Sequence, residues 1–204
     1  MDPAVREAIW EVVRGVRREV EAALGNVRWV APAAYHFTLR FLGELDADRV
    51  GAAVRATRRA CAGLESFPVT LRSLGAFPGL ERPRVLWIGV DDEGNRRLTH
   101  LALRLQEELA REGFAAETRP FASHLTIGRL SDRAGHRPPG ALQAVARLFD
   151  RDFGPSRSES VVVMKSELRP SGPVYTAMHR VALGARAPEA DRAAGGSPAS
   201  QEGV

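Results

Sequence analysis

Two short stretches of this chain carry the same chemical pattern. His36-Phe37-Thr38 and His124-Leu125-Thr126 each place a threonine two residues after a histidine, with an apolar residue between. In extended backbone, residues i and i+2 point to one face, roughly 6.5–7 Å apart. His36, Thr38 and Arg40 then share a face, with Phe37, Leu39 and Phe41 behind them. His124, Thr126 and Gly128 share another, with Leu125 and Ile127 behind. The chain has five histidines and seven threonines, so one such pair is weak evidence, but two arise by chance only about 1% of the time. Free imidazole titrates near pH 6.5, so a pair of imidazoles can supply, one neutral and one protonated, a base and an acid at neutral pH. Facing one phosphate, the neutral ring would activate water and the charged ring would protonate the departing oxygen. The threonine hydroxyls, with arginine, would hold the non-bridging oxygens.

Other chemistries find less support. There is no His-x-His, no His-Glu-x-x-His and no carboxylate beside either motif histidine, so a metal site is not expected. Asp91, Asp92, Asp150 and Asp152 read as solvated loop acids. Cys61 is the single cysteine, set in an apolar helical pattern without a neighbouring histidine, and reads as a small buried hydrophobe. His100 falls beside a helical leucine stripe, His136 in a Gly-Arg-Pro loop, and His179 in a strand without a threonine partner.

The elements that must position the two motifs follow from periodicity. Asp2-Pro3 starts a helix with Val5, Ile9, Val12, Val16 and Val20 at helical spacing. Asp46 caps a second helix carrying Val50, Val54, Cys61 and Leu64. Residues 95–111 form a third, with Leu98, Leu101, Leu105 and Leu109 on one stripe. A short helix is expected at 141–149. Strands are expected at 27–30, 36–42, 67–74, 84–90, 121–129, 158–167 and 174–183, the last two closing around Pro170-Ser171-Gly172-Pro173. Mixed strands and helices argue an α/β or α+β fold, and the repeated motif argues two similar lobes. From residue 185 to 204 the chain is rich in Ala, Gly, Pro and Ser without periodicity, which predicts a disordered tail after a domain spanning 1–184.

Composition sets the outer bounds. The 204 residues suffice for one sizeable core. No apolar run approaches the roughly 20 residues of a membrane helix, and the N-terminus lacks the apolar stretch of a signal peptide, so a cytoplasmic location is expected. The net charge is +4, and 28 of the 29 basic residues are arginine, the exception being Lys165. Arginine grips phosphate through a planar fork, which suits a polyanionic substrate.

These residues resemble the RNA 2′,3′-cyclic phosphodiesterases (LigT-like) of the two-histidine phosphoesterases. The resemblance runs over nearly all of residues 1–184. It rests on Arg28-Trp29-Val30 with the run from His36 to Glu44, on the run from Arg82 to Val90, on Arg119-Pro120-Phe121 with the run from His124 to Arg129, and on Ser166-Glu167-Leu168 with Gly172-Pro173-Val174-Tyr175. It implies an α+β bilobal fold of two pseudo-symmetric antiparallel lobes with outer helices and a central cleft. It implies His36 as proton donor to the leaving 3′ oxygen and His124 as the base activating water, giving a 2′-phosphate end. It implies phosphate binding by Thr38 and Thr126, and more weakly by Arg129, whose side chain strand parity turns away from His124. No metal or cofactor is implied. The partner would be an RNA or oligonucleotide end, handled by a monomer.

Two alternatives stay open on the residues alone: a hydrolase for another small cyclic nucleotide phosphate, and an RNA-end-binding module with little turnover. One departure from the family pattern stands out. Its members begin with a strand resembling Arg-hydrophobic-Phe-hydrophobic-Ala, whereas here Met1-Asp2-Pro3 stands where the first helix begins. Without that strand, neighbouring backbone should be unpaired and a groove should open in the core.

Overall fold

The structure is a computed structural model and describes residues 1–79, 83–130, 152–169 and 172–184. The expected helix at 141–149, His136, Asp150, the centre of the turn at 170–171 and the tail at 185–204 lie outside the described residues.

Each long helix starts on an aspartate. Asp2 caps α1 (Pro3–Leu24) by accepting from the Ala4 amide at 2.8 Å, with proline at the first helical position. Asp46 caps α2 (Ala47–Cys61) by accepting from the Arg49 amide at 2.8 Å. Asp91 caps α3 (Asp92–Arg111) by accepting from Gly94, and the same oxygen accepts from Thr70 in the neighbouring strand. Asp91 and Asp92 therefore open a helix and are not the loop acids expected from sequence. Their carboxylates also complement the positive end of the helix dipole.

The strands are β1 (Val27–Trp29), β2 (Phe67–Phe77), β3 (Val85–Val90), β4 (Leu125–Leu130), β5 (Asp152–Ser158), β6 (Ser160–Arg169) and β7 (Gly172–Ala182). The first five form one antiparallel sheet in the order β1-β4-β3-β2-β5, and β6 and β7 form a separate hairpin. The α+β architecture of two antiparallel sheets with helices is thus present, with five strands in one sheet and two in the other among the described residues. β5 is unforeseen in the sequence: Gly154 and Pro155 mask it, and proline is tolerated there because β5 is an edge strand.

One face of the large sheet buries Leu86, Ile88 and Leu125 against the α1 stripe of Val5, Ile9 and Val13. A second cluster joins α2 and α3 through Ala53, Ala56, Ala60, Leu105 and Leu109, with Leu39, Leu42 and Leu45 packed on it. α2 buries alanines where the sequence suggested Val50 and Val54, because small side chains let the two helices approach closely. Cys61 is buried as expected, and burial pushes its thiol up to about 11.

The largest departure concerns residues 36–42. They form no strand, and their one sheet contact among the described residues is an isolated antiparallel bridge between Phe37 and Leu125. Alternating sequence supplies the pattern of a strand but not a partner. On the far side, β6 pairs only with β7 among the described residues. Between them lies a cavity of about 1350 Å³, reaching Leu39, the α3 leucines Leu101 and Leu105, Val161 of β6 and Tyr175 of β7. A groove therefore runs where a further strand could pair with both flanks.

Candidate functional site

Residues 27–37 run along one edge of β4 in two pieces. β1 pairs Val27 with Leu130 and Trp29 with Gly128, and the Val30 amide donates to Ile127 at 2.9 Å. The chain then leaves through a 3-10 turn at Pro32–Ala34, anchored by the buried Tyr35, and returns at Phe37 against Leu125.

That return places the two motifs. An antiparallel bridge has a local two-fold axis. Carried one residue either side of Phe37 and Leu125, it sets His36 across from Thr126 and Thr38 across from His124. All four side chains lie on the face opposite the buried Leu125. Diagonal neighbours in such a pair lie about 7–8 Å apart, with their Cβ atoms somewhat closer, so the two imidazoles flank a gap between them.

The histidines are held alike. His36 Nδ1 lies 2.7 Å from the Ala34 carbonyl oxygen, and His124 Nδ1 lies 2.8 Å from the Ala122 carbonyl oxygen. A carbonyl oxygen can only accept, so in both rings Nδ1 carries the proton and donates. Nε2 is then the free atom in each: a lone pair on a neutral ring, an N–H on a protonated one. The threonine hydroxyls have no protein partner among the described residues and are not buried.

Aromatic rings wall each histidine differently. Tyr175, from β7, meets His36 edge to face at 4.9 Å. Phe77 meets His124 at 4.9 Å and Trp87 stands 6.3 Å away. Trp87 pairs with Thr126 across β3 and β4, and its ring covers Gly75, where a Cβ would come within 2.1 Å. None of these three aromatics is separable in sequence from an ordinary core residue. The hairpin and the β2-β3-β4 register bring them to the site.

Arg129 requires a correction. The β3-β4 register passes from Leu86 opposite Gly128 to Trp87 opposite Thr126, so Ile127 is an extra residue. This bulge inverts parity beyond it. Leu125, Ile127 and Leu130 are buried, whereas Thr126 is half-buried and Arg129 exposed. Arg129 therefore shares the Thr126 face, and Gly128 turns instead toward Val27 and Trp29, where a Cβ would lie 2.8 Å from Val27. Arg40, expected beside Thr38, is held elsewhere. Its guanidinium donates to the Ala115 carbonyl at 2.7 Å and pairs with Glu117 at 2.9 Å, tying the first motif to the loop before the second.

The other two described histidines, His100 and His179, do not converge here. His100 is exposed on α3, and His179 meets Arg58 of α2 at 3.0 Å. Among the described residues, no three His, Cys, Asp or Glu side chains cluster as a metal site, and no helix is long and apolar enough to cross a membrane.

Comparison with known proteins places this geometry in context. The profile of a family described as LigT like phosphoesterase matches residues 3–87 and 88–175. A protein from Archaeoglobus fulgidus named RNA 2′,3′-cyclic phosphodiesterase is 33% identical over 171 residues, covering 84% of this chain and 92% of that protein. One of the same name from Methanothermobacter thermautotrophicus is 31% identical over 173 residues, covering 84% and 91%. Among solved structures, a protein of Thermus thermophilus superposes with a TM-score of 0.67 at 27% identity, covering 90% of this chain and 93% of that one. Escherichia coli LigT complexed with 3′-AMP gives 0.65 at 25% identity, covering 88% and 93%.

Proposed function

Because this chain belongs to the LigT-like phosphoesterase family, we propose that it hydrolyses RNA 2′,3′-cyclic phosphate ends to 2′-phosphates, using His36 as acid and His124 as base. The observation that carries this reading is the two-fold relation about the Phe37–Leu125 bridge. In-line displacement at phosphorus needs a base on the attacking side and an acid on the leaving side. Diagonal imidazoles with free Nε2 atoms supply that arrangement.

Neutral His124 Nε2 takes a proton from water as its oxygen bonds to phosphorus. The bond from phosphorus to O3′ breaks, and protonated His36 Nε2 gives its proton to O3′. The product has a free 3′ hydroxyl and a 2′-phosphate. The protonation states exchange between the rings, so a proton passing through solvent resets them. The hydroxyls of Thr38 and Thr126 donate to the non-bridging oxygens, and Arg129 stands further along the same face as Thr126. Each backbone carbonyl at Nδ1 fixes the tautomer, so neither ring must reorganise. No step needs a metal, and a monomer in the cytoplasm suffices.

The test is hydrolysis of a short RNA ending in a 2′,3′-cyclic phosphate, with and without EDTA, with analysis of the product end. Equal rates and a 2′-phosphate are expected. Loss of activity in EDTA, or a 3′-phosphate product, would overturn the mechanism.

A further inference from the structure

The β1-β4 register brings two arginines together. Arg28 lies directly opposite Arg129, and both side chains are exposed. Val27 and Trp29, on either side of Arg28, face the helix side: Val27 is buried and the Trp29 indole donates to Glu21 of α1 at 3.0 Å. Arg28 must therefore project to the opposite face, the one that holds Thr126, Trp87 and Arg129. Like charges opposed across two strands destabilise a sheet. Several other arginines are neutralised by carboxylates: Arg40 with Glu117, Arg55 and Arg59 with Glu112, Arg96 and Arg97 with Glu93. Among the described residues, Arg28 and Arg129 have no acidic partner.

We propose that Arg28 and Arg129 form a two-pronged anion clamp that binds the phosphodiester next to the cyclic phosphate, making Arg28 a residue that selects RNA strands over single cyclic nucleotides. This deepens, and rests on, the reading that the site acts on cyclic phosphate ends. Distance supports it. From Thr126 to Arg129 the strand advances roughly 7–10 Å, shortened by the bulge. A strand leaving the phosphate between the two histidines therefore reaches the clamp with its next phosphate. Two guanidinium forks on adjacent strands match the oxygens of one diester. The bulge at Ile127 is what creates the clamp, because regular parity would turn Arg129 to the helix side. A mononucleoside 2′,3′-cyclic phosphate has nothing to place there.

The test compares the full chain with Arg28→Ala and Arg28→Lys on two substrates: a short RNA ending in a 2′,3′-cyclic phosphate and a mononucleoside 2′,3′-cyclic phosphate. With Arg28→Ala, the ratio of kcat/KM for the RNA to that for the mononucleoside should fall about tenfold. Arg28→Lys, which keeps the charge, should restore much of it. A binding arm separates this claim from the proposed activity. A labelled RNA with a 2′-phosphate end is titrated at several salt concentrations, and Arg28→Ala should weaken binding and lower the salt slope by about one. Failure of the unmodified chain to hydrolyse either substrate defeats the proposed activity, while the binding arm still decides the clamp. An unchanged substrate ratio with an unchanged salt slope overturns the clamp. So does a marked fall in thermal midpoint for Arg28→Ala, since removing one of two opposed like charges should leave stability equal or higher.

Discussion

The two His-x-Thr motifs differ less in sequence than in how they are held. Thr126 sits in β4, paired on one edge with β3 and on the other with β1, and His124 immediately precedes that strand. The segment carrying His36 and Thr38 has, among the described residues, one bridge to Leu125 and a groove beside it. Side chains replace the missing ladder: Leu39, Leu42 and Leu45 pack on the α2-α3 cluster, and Arg40 reaches Ala115 and Glu117. A repeated motif thus reports repeated chemistry but not repeated support. One half of the site is built into a sheet, and the other is fastened by packing.

Hydrogen exchange should expose the largest difference. Amides at 126–129 should be protected to nearly the global stability, whereas those at 38–42 should exchange through local opening, roughly a thousandfold faster. Similar protection in both segments would break the comparison. Chemistry should show the opposite symmetry. Thr38→Val and Thr126→Val should each lower kcat by about 10–100-fold, because both hydroxyls face the same phosphate. A loss confined to one of them, measured in single-turnover assays, would remove the two-fold argument. Filling the groove should narrow the gap between the halves. Joining an alternating apolar strand upstream of Met1, which lines the groove, should raise the thermal midpoint by on the order of 5 °C. Equal midpoints with and without it would show that the groove does not accept a strand.

The smallest effect belongs to the helices behind the first motif. Hydrogen bonds from Arg55 and then Arg59 pull the Glu112 carboxyl down to about 2. A carboxyl whose folded pKa is lowered contributes stability above its unfolded pKa near 4.3, and loses it as pH falls toward 2. Acidification through that window should loosen the join between α2 and α3 and lower the thermal midpoint by about a few degrees, since exposed pairs are screened. Glu112→Gln should flatten that acid limb, and an unaltered pH profile would show that this carboxylate is not its source.

Much of the scaffold is readable from sequence because its causes are local. Aspartate caps mark α1 and α2, apolar periodicity marks all three long helices among the described residues, and β-rich runs mark most strands of the large sheet. The paired motifs are legible for the same reason, since His-x-Thr in extended backbone carries its own geometry. What could not be read depends on partners distant in the chain. Residues 36–42 alternate like a strand but, among the described residues, make only the Phe37–Leu125 bridge. The bulge at Ile127 arises from the β3-β4 register, so parity counted along β4 alone sends Arg129 to the wrong face. Tyr175, Phe77 and Trp87 become site residues only because the hairpin and the sheet bring them there. The carbonyls that orient the histidines belong to Ala34 and Ala122, whose side chains carry no signal.

The central claim is that two histidines related by one antiparallel bridge divide a single proton-transfer cycle. The most direct measurement is the single-turnover rate of opening an RNA 2′,3′-cyclic phosphate by the unmodified chain, His36→Ala and His124→Ala. Each substitution should lower the rate by about 10²–10⁴-fold while leaving the fold intact by circular dichroism. Full activity in either variant would contradict the account.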